Sequence, residues 1–302
     1  MKKLIISLAL FVSCGYALAQ ETAIRNNDDH LFYEGRTLFE QRKFGASTKK
    51  FEQFCATAAN KNSGLYADAQ YYIACNAYEL KRKDAVVTLK NYLNNYPYAP
   101  MREHVAYMIG RCCFEAKKYE ETLTWYEQVQ NNHLEGDENM AYLYTKAVSY
   151  LQLKKYEPAR ILFATLNGKK TKYEKDALYY YSYTEFCLGN YNRAINGFLE
   201  LSLSSPYAEP AAYHALQIYD RTGNTDKACE YGKTLISRWP NSKYNSEAYR
   251  ILGESAYYQG NYSEAIDYLK KYERNGQKVQ RANMYMLGMA CYRHGAYRDA
   301  VP

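Results

Sequence analysis

Residues 103–122 read Glu103-His104-Val105-Ala106-Tyr107-Met108-Ile109-Gly110-Arg111-Cys112-Cys113-Phe114-Glu115-Ala116-Lys117-Lys118-Tyr119-Glu120-Glu121-Thr122, and this stretch decides the fold. Ala106, Ile109, Gly110 and Cys113 are spaced by three and four residues, the interval of an apolar helix face. The spacing predicts a helix over 103–116, a turn at Lys117-Lys118 and a second helix over 120–129. Gly110 and Thr122 are small where two antiparallel helices must approach. A bulky side chain at such a crossing costs about 1–3 kcal/mol. Tyr119, at the turn, is placed to fold over the crossing and close the hairpin.

The same signature recurs along the chain: small residue, nine steps to an aromatic, three to another small residue. It is met at Gly35…Phe44…Ser47, Ala147…Tyr156…Ala159, Ser182…Tyr191…Ala194, Gly253…Tyr262…Ala265 and Gly288…Tyr297…Ala300. Leu216…Thr225…Ala228 lacks the aromatic, and the copy around Ala74…Ala85 is one residue short. Successive turn positions 119, 156, 191, 225, 262 and 297 lie 34 to 37 residues apart. A fixed period of this length marks a repeat architecture. Pro97, Pro206 and Pro240 stand where second helices must end.

These motifs resemble the tetratricopeptide repeat, a helix–turn–helix unit with a small residue in each helix, Tyr at the turn and Pro at the end. The resemblance covers about residues 28–302 and implies an all-α, right-handed α-solenoid of about eight units spanning 20–302. The eighth second helix reaches only Pro302, so the array is expected to be incomplete there. Leu93-Asn94-Asn95-Tyr96-Pro97 and Ser237-Arg238-Trp239-Pro240-Asn241-Ser242 are similar to the subclass found in envelope proteins, among them outer-membrane assembly lipoproteins and the periplasmic partner of the Tol–Pal system. Intervals of 37 depart from that family's usual 34.

Residues 1–19 have the parts of an export signal: Lys2-Lys3, an apolar run from Leu4 to Val12, and Ala17-Leu18-Ala19 before Gln20. Cleavage after Ala19 leaves a soluble or peripherally attached chain. Phe11-Val12-Ser13-Cys14 is the competing reading, a lipidation site, with a less regular motif. The formal charge is +7, or +5 without Lys2 and Lys3. Basic and acidic residues alternate, as in Lys117-Lys118-Tyr119-Glu120-Glu121, which reads as solvated helix ends and not as a nucleic-acid stripe. Seven cysteines follow the signal, at 55, 75, 112, 113, 187, 229 and 291. They lack CxxC and metal-ligand spacing, so they read as free thiols acting as small hydrophobes.

The unusual count is that of tyrosine, 36 against 10 Phe and 2 Trp. With each unit numbered so that Gly110 is position 8, position 5 holds Phe32, Tyr71, Tyr107, Tyr144, Tyr179, Tyr213, Arg250 and Tyr285. Position 12 holds Phe39, Tyr78, Phe114, Leu151, Phe186, Asp220, Tyr257 and Tyr292. Seven residues apart, the two positions share a helix face. The resemblance places first helices on the concave, partner-binding side. The candidate contact residues are therefore Phe32, Tyr71, Tyr78, Tyr107, Phe114, Tyr144, Tyr179, Tyr183, Tyr213, Tyr257 and Tyr285. Packing between units is the competing use of the same rings. A carboxylate clamp is not reproduced, because Arg36 and Arg111 share position 9 but Val148 and Tyr183 fill it next.

The five histidines (30, 104, 133, 214, 294) show no metal or catalytic spacing, and no nucleotide-binding or nucleophile motif is present. The expectation is a non-enzymatic scaffold or adaptor of the bacterial envelope. It is exported to the periplasm, needs no cofactor or metal, binds protein or peptide segments and can sit peripherally at the outer membrane. The alternative is the ligand-sensing or wall-binding front end of a longer protein, holding peptide, glycan or lipid.

Overall fold

The computed structural model describes residues 29–58, 61–130, 134–203, 205–274 and 280–300. Residues 1–19, read as an export signal, and Cys14 lie outside the described residues. Among the described residues there are 15 α-helices and no strand. They pair in chain order: α1 (Asp29–Glu40) with α2 (Phe44–Thr57), α3 (Gly64–Glu79) with α4 (Ala85–Asn95), α5 (Arg102–Glu115) with α6 (Tyr119–Tyr126), and α7 (Gly136–Gln152) with α8 (Tyr156–Leu166). Then follow α9 (Glu174–Cys187) with α10 (Tyr191–Leu203), α11 (Ala208–Arg221) with α12 (Thr225–Arg238), and α13 (Asn245–Tyr258) with α14 (Tyr262–Arg274). Helix α15 (Arg281–His294) is followed by one 3-10 turn, Tyr297–Asp299.

The chain divides into two compact units, the first ending at Tyr142 and the second beginning at Leu143, within α7. In each, helices pack on their sequence neighbours, with first helices of consecutive hairpins also touching, as α1 on α3 and α13 on α15. That is the solenoid arrangement, in which a repeat buries its face only against its neighbours.

All eight first helices end in the same hydrogen-bonded turn. In the third, Lys118 N donates to Cys113 O and Lys117 N to Phe114 O, both at 2.9 Å; in the seventh, Asn261 N donates to Ala256 O and Gly260 N to Tyr257 O. This double closure places one residue in the left-handed region. The later turns use Gly189, Gly223, Gly260 and Gly295 there, with φ between 73° and 85°. The earlier turns use Arg42, Lys81, Lys117 and Lys154, with φ between 51° and 59°. For a residue with a Cβ that conformation costs about 1–2 kcal/mol.

The small residue at position 8 makes room for a large side chain sixteen residues later, not only for the small residue at twelve. A Cβ on Gly110 would sit 2.3 Å from Tyr126 Cε1; on Gly35 it would meet Phe51 at 3.0 Å and on Gly253 Leu269 at 2.8 Å. The expected close approach is also present: Ser47 Oγ donates to Gly35 O at 2.8 Å. The sixth hairpin differs: Leu216 is fully buried on the first helix, and Gly232, at the sixteenth position, faces Leu252 of the next hairpin.

One boundary differs from expectation. Helix α6 ends at Tyr126 and not at Val129. Gln128 N and Val129 N bond three residues back, to Trp125 O and Tyr126 O, and Gln130 N donates to Glu103 Oε2 at 2.9 Å. The chain is drawn onto α5, which buries Val129 and stops the helix. Pro97, Pro206 and Pro240 lie just past α4, α10 and α12, where a missing N–H costs nothing.

Candidate functional site

The position-5 rings have three different fates. Phe32 and Tyr107 are core residues, each only 4% exposed. Phe32 sits edge-on to Phe51 and Phe54, and Tyr107 packs on Tyr126 and Tyr142. Neither has a ring face left for a partner. Tyr144, Tyr179 and Tyr213 stack instead on Tyr173, Tyr207 and Tyr244, each just before the first helix of the next hairpin. The centroid separations are 4.4, 4.4 and 4.2 Å, with planes within 20°. Such pairs contribute about 0.5–1.5 kcal/mol beyond their buried area. Tyr285 alone of this row lies open, 71% exposed.

Several hydroxyls along the row and its stacking partners are also occupied. Asp176 accepts from Tyr144 and Tyr207, both at 3.0 Å. Tyr71 OH meets His104 Nδ1 at 2.6 Å, and His104 Nε2 meets Glu138 Oε1 at 3.3 Å. This Tyr–His–Glu chain joins three consecutive first helices. Burial pushes the Tyr71 hydroxyl well above its ordinary value, which suits it to bracing and not to proton transfer.

Position 12 is bound to the turn. Phe39–Phe44, Phe114–Tyr119, Phe186–Tyr191, Tyr257–Tyr262 and Tyr292–Tyr297 each pair at 5.6–6.1 Å. Phe114 and Tyr257 are therefore hairpin closures. Tyr78, whose turn lacks the aromatic, is half-buried beside Arg111. The non-aromatic exceptions in the sixth and seventh units answer each other: Arg250 Nη2 bonds Asp220 Oδ2 at 3.0 Å. Arg250 also holds Glu247 and Glu254, and Glu254 accepts from Asn283 Nδ2, so a charged chain replaces the rings.

Among the described residues, an aromatic cleft of about 490 Å³ lies in the second unit, lined by Leu151, Gln152, Lys154, Tyr156, Tyr179, Tyr180, Tyr183, His214 and Tyr244. Its floor is His214, 8% exposed, with ring centroids of Phe198, Phe186 and Tyr183 at 4.9, 5.2 and 5.4 Å. Burial among these rings lowers the imidazole from 6.5 to about 4, and Arg221 adds to this; a bond to Gln217 acts the other way. His214 is therefore neutral at physiological pH. Burial pushes the Tyr183 hydroxyl up to about 12, so it stays protonated. Among the described residues that line the cleft, Lys154 is the charged one and none is a carboxylate.

Of the expected contact residues, the cleft gathers Tyr179 and Tyr183. Sequence reading passed over Tyr156, Tyr180, His214 and Tyr244. The available signal was Tyr at 173, 207 and 244, each nine residues before a position 8, which marks the units able to stack outward. Among the described residues all seven cysteines are free. Among the described residues no group of three His, Cys, Asp or Glu side chains could hold a metal ion.

Sequence profiles described as Tetratricopeptide repeat match residues 68–97, 218–279 and 252–302. Those two segments, 68–97 and 218–302, therefore match tetratricopeptide repeats. Among solved structures it is similar to the C-terminal part of a tetratricopeptide-repeat protein from Cytophaga hutchinsonii, at 14% identity over 85% of this chain and 99% of that one, TM-score 0.55. A tetratricopeptide repeat protein from Parabacteroides merdae gives 14% identity over 87% and 98%, TM-score 0.45. PilF of Pseudomonas aeruginosa gives 17% over 73% and 95%, TM-score 0.46. The fold likeness rests on the first of these. No curated protein matches the sequence. Tetratricopeptide repeats build protein-interaction scaffolds, so the aromatic cleft is the natural place to look for a contact.

Proposed function

We propose that this protein is an exported scaffold of the bacterial envelope that holds an extended segment of another protein in the aromatic cleft of its second unit. The single observation that carries the reading is the cleft itself. Phe32, Tyr107, Tyr144 and Tyr213 are spent on packing, whereas Tyr183 and Tyr156 line a recess with a neutral floor. Recesses walled by tyrosine offer large rigid contact area with little entropy to lose. The export signal read at residues 1–19 supports the envelope location, and release after Ala19 leaves a soluble or peripheral chain.

A photoreactive phenylalanine in place of Tyr183, introduced in living cells, tests the contact. The expected result is a covalent adduct with a discrete protein, missing when the same group replaces Val87, which is exposed on α4. Adducts only with glycan or lipid would shift the reading to a wall-binding or ligand-sensing module. Intact mass tests the N-terminus: a chain starting at Gln20 is expected, and an acylated chain starting at Cys14 would make the protein a lipoprotein.

A further inference from the structure

The basic excess of the chain is confined to one place. Residues 143–175 carry eight Lys and Arg against only Glu157 and Glu174. Residues 29–142 hold 14 basic and 15 acidic groups, and residues 176–302 hold 14 and 13. The +6 of residues 143–175 thus exceeds the +5 of the chain without its signal segment. Glu157 is already engaged by Arg160 at 2.9 Å. Lys154, Lys155, Lys169, Lys170 and Lys175 are exposed, and among the described residues none has an ion pair. This same hairpin builds one wall of the aromatic cleft, through Leu151, Gln152, Lys154 and Tyr156.

We propose that the cleft selects an acidic polypeptide segment: a bulky apolar or aromatic side chain of the partner enters between the tyrosines, and flanking carboxylates lie against Lys154 and Lys155. This rests on the reading that the cleft binds protein, and adds the chemistry of what it binds. The neutral floor leaves the rim as the source of charge selectivity. A concave site with one sign of charge and low-dielectric walls concentrates ligands of the opposite sign. Two other polyanions fit less well. Successive bases need open ring faces to stack on, whereas Tyr179 and Tyr244 each have one face covered, by Tyr207 and Tyr213. A bilayer surface is too flat to reach a recessed floor. Recognition through internal side chains needs no free C-terminus.

Fluorescence anisotropy of the purified chain tests this with a short labelled peptide in which glutamates flank a central Phe and the C-terminus is amidated. The comparison probes are the same peptide with Gln for Glu and an oligothymidylate of equal length. The acidic peptide should bind about tenfold tighter than the neutral one and weaken as salt rises. Lys154→Glu with Lys155→Glu should remove that preference, while Lys117→Glu with Lys118→Glu, in the other unit, leaves it unchanged. Tyr183→Ala should weaken both peptides alike. Equal affinity for the two peptides, tighter binding of the oligonucleotide, or binding of neither peptide overturns the proposal. If Tyr183 still cross-links a protein in cells, the scaffold reading survives that result and only the acidic partner is lost.

Discussion

The two compact units use one repeat register in opposite ways. In the first, the position-5 rings Phe32 and Tyr107 turn into the core, and the helix-ending turns strain a basic residue. In the second, Tyr144, Tyr179 and Tyr213 stack outward on the next hairpin, and most turns relax onto glycine. The difference traces to single residues. Tyr stands nine residues before position 8 in the fifth, sixth and seventh units, while Leu65, Met101 and Glu138 stand there in the second, third and fourth. Tyr144, Tyr179 and Tyr213, each with a flat partner, stay half-buried, whereas Phe32 and Tyr107, without one, are buried. Identical motifs therefore do not give identical surfaces, and the cleft arises only where the outward stacks occur.

Truncation should break the comparison most visibly. Tyr107→Ala empties a filled core site and is expected to lower unfolding free energy by about 3–5 kcal/mol. Tyr179→Ala removes a half-buried stack and should lower it by about 1–2 kcal/mol. Urea unfolding of both variants checks this, and equal losses would mean that the two units pack alike.

The next effect is a pH dependence from His214. Its folded-state value, about 4, lies below the ordinary 6.5. The unfolded chain therefore takes up the proton first. The stability that burial of neutral His214 provides is full above pH about 6.5 and is lost as pH falls toward about 4. The difference amounts to about 3 kcal/mol. His214→Phe should flatten melting temperature across that window. In the first unit Glu138 is held below its usual value by the His104 hydrogen bond. Its contribution is present above the ordinary carboxylate range and fades at more acidic pH.

Smaller again is the charged substitute for the rings. Arg250→Ala strands Asp220, Glu247 and Glu254 and should cost about 2 kcal/mol. Arg250→Tyr with Asp220→Phe restores both rows. The pair should be about 1 kcal/mol more stable than the sum of the single changes, read from a double-mutant cycle. The smallest effect is in the turns. Lys117→Gly should stabilise by about 1 kcal/mol, and Gly260→Lys should destabilise by a similar amount, because only one of them has a Cβ to accommodate.

The hairpins were legible because their determinants are local. Gly110, Tyr119 and Thr122 fall within one helix–turn–helix, and the pairing of position 12 with the turn aromatic spans only five residues. The role of Tyr126 opposite Gly110 was less legible, since a close approach points equally to twelve or sixteen residues on. The cleft was legible only in Tyr179 and Tyr183. Its other rings come from α8, α9, α11 and the residue before α13, and whether a position-5 tyrosine faces out depends on a residue about thirty positions later. His214 looked like one of five scattered histidines because its aromatic surround is assembled from three helices.

In the proposed function, binding belongs to the cleft and not to the tyrosine row as such. The direct measurement is capture of the partner cross-linked from Tyr183, using Tyr183→Ala and Tyr285→Ala compared at equal folded fraction. Loss of capture by Tyr183→Ala with full capture by Tyr285→Ala is predicted. Retained capture by Tyr183→Ala, with loss by Tyr285→Ala, would contradict it and move the binding surface to the last helix.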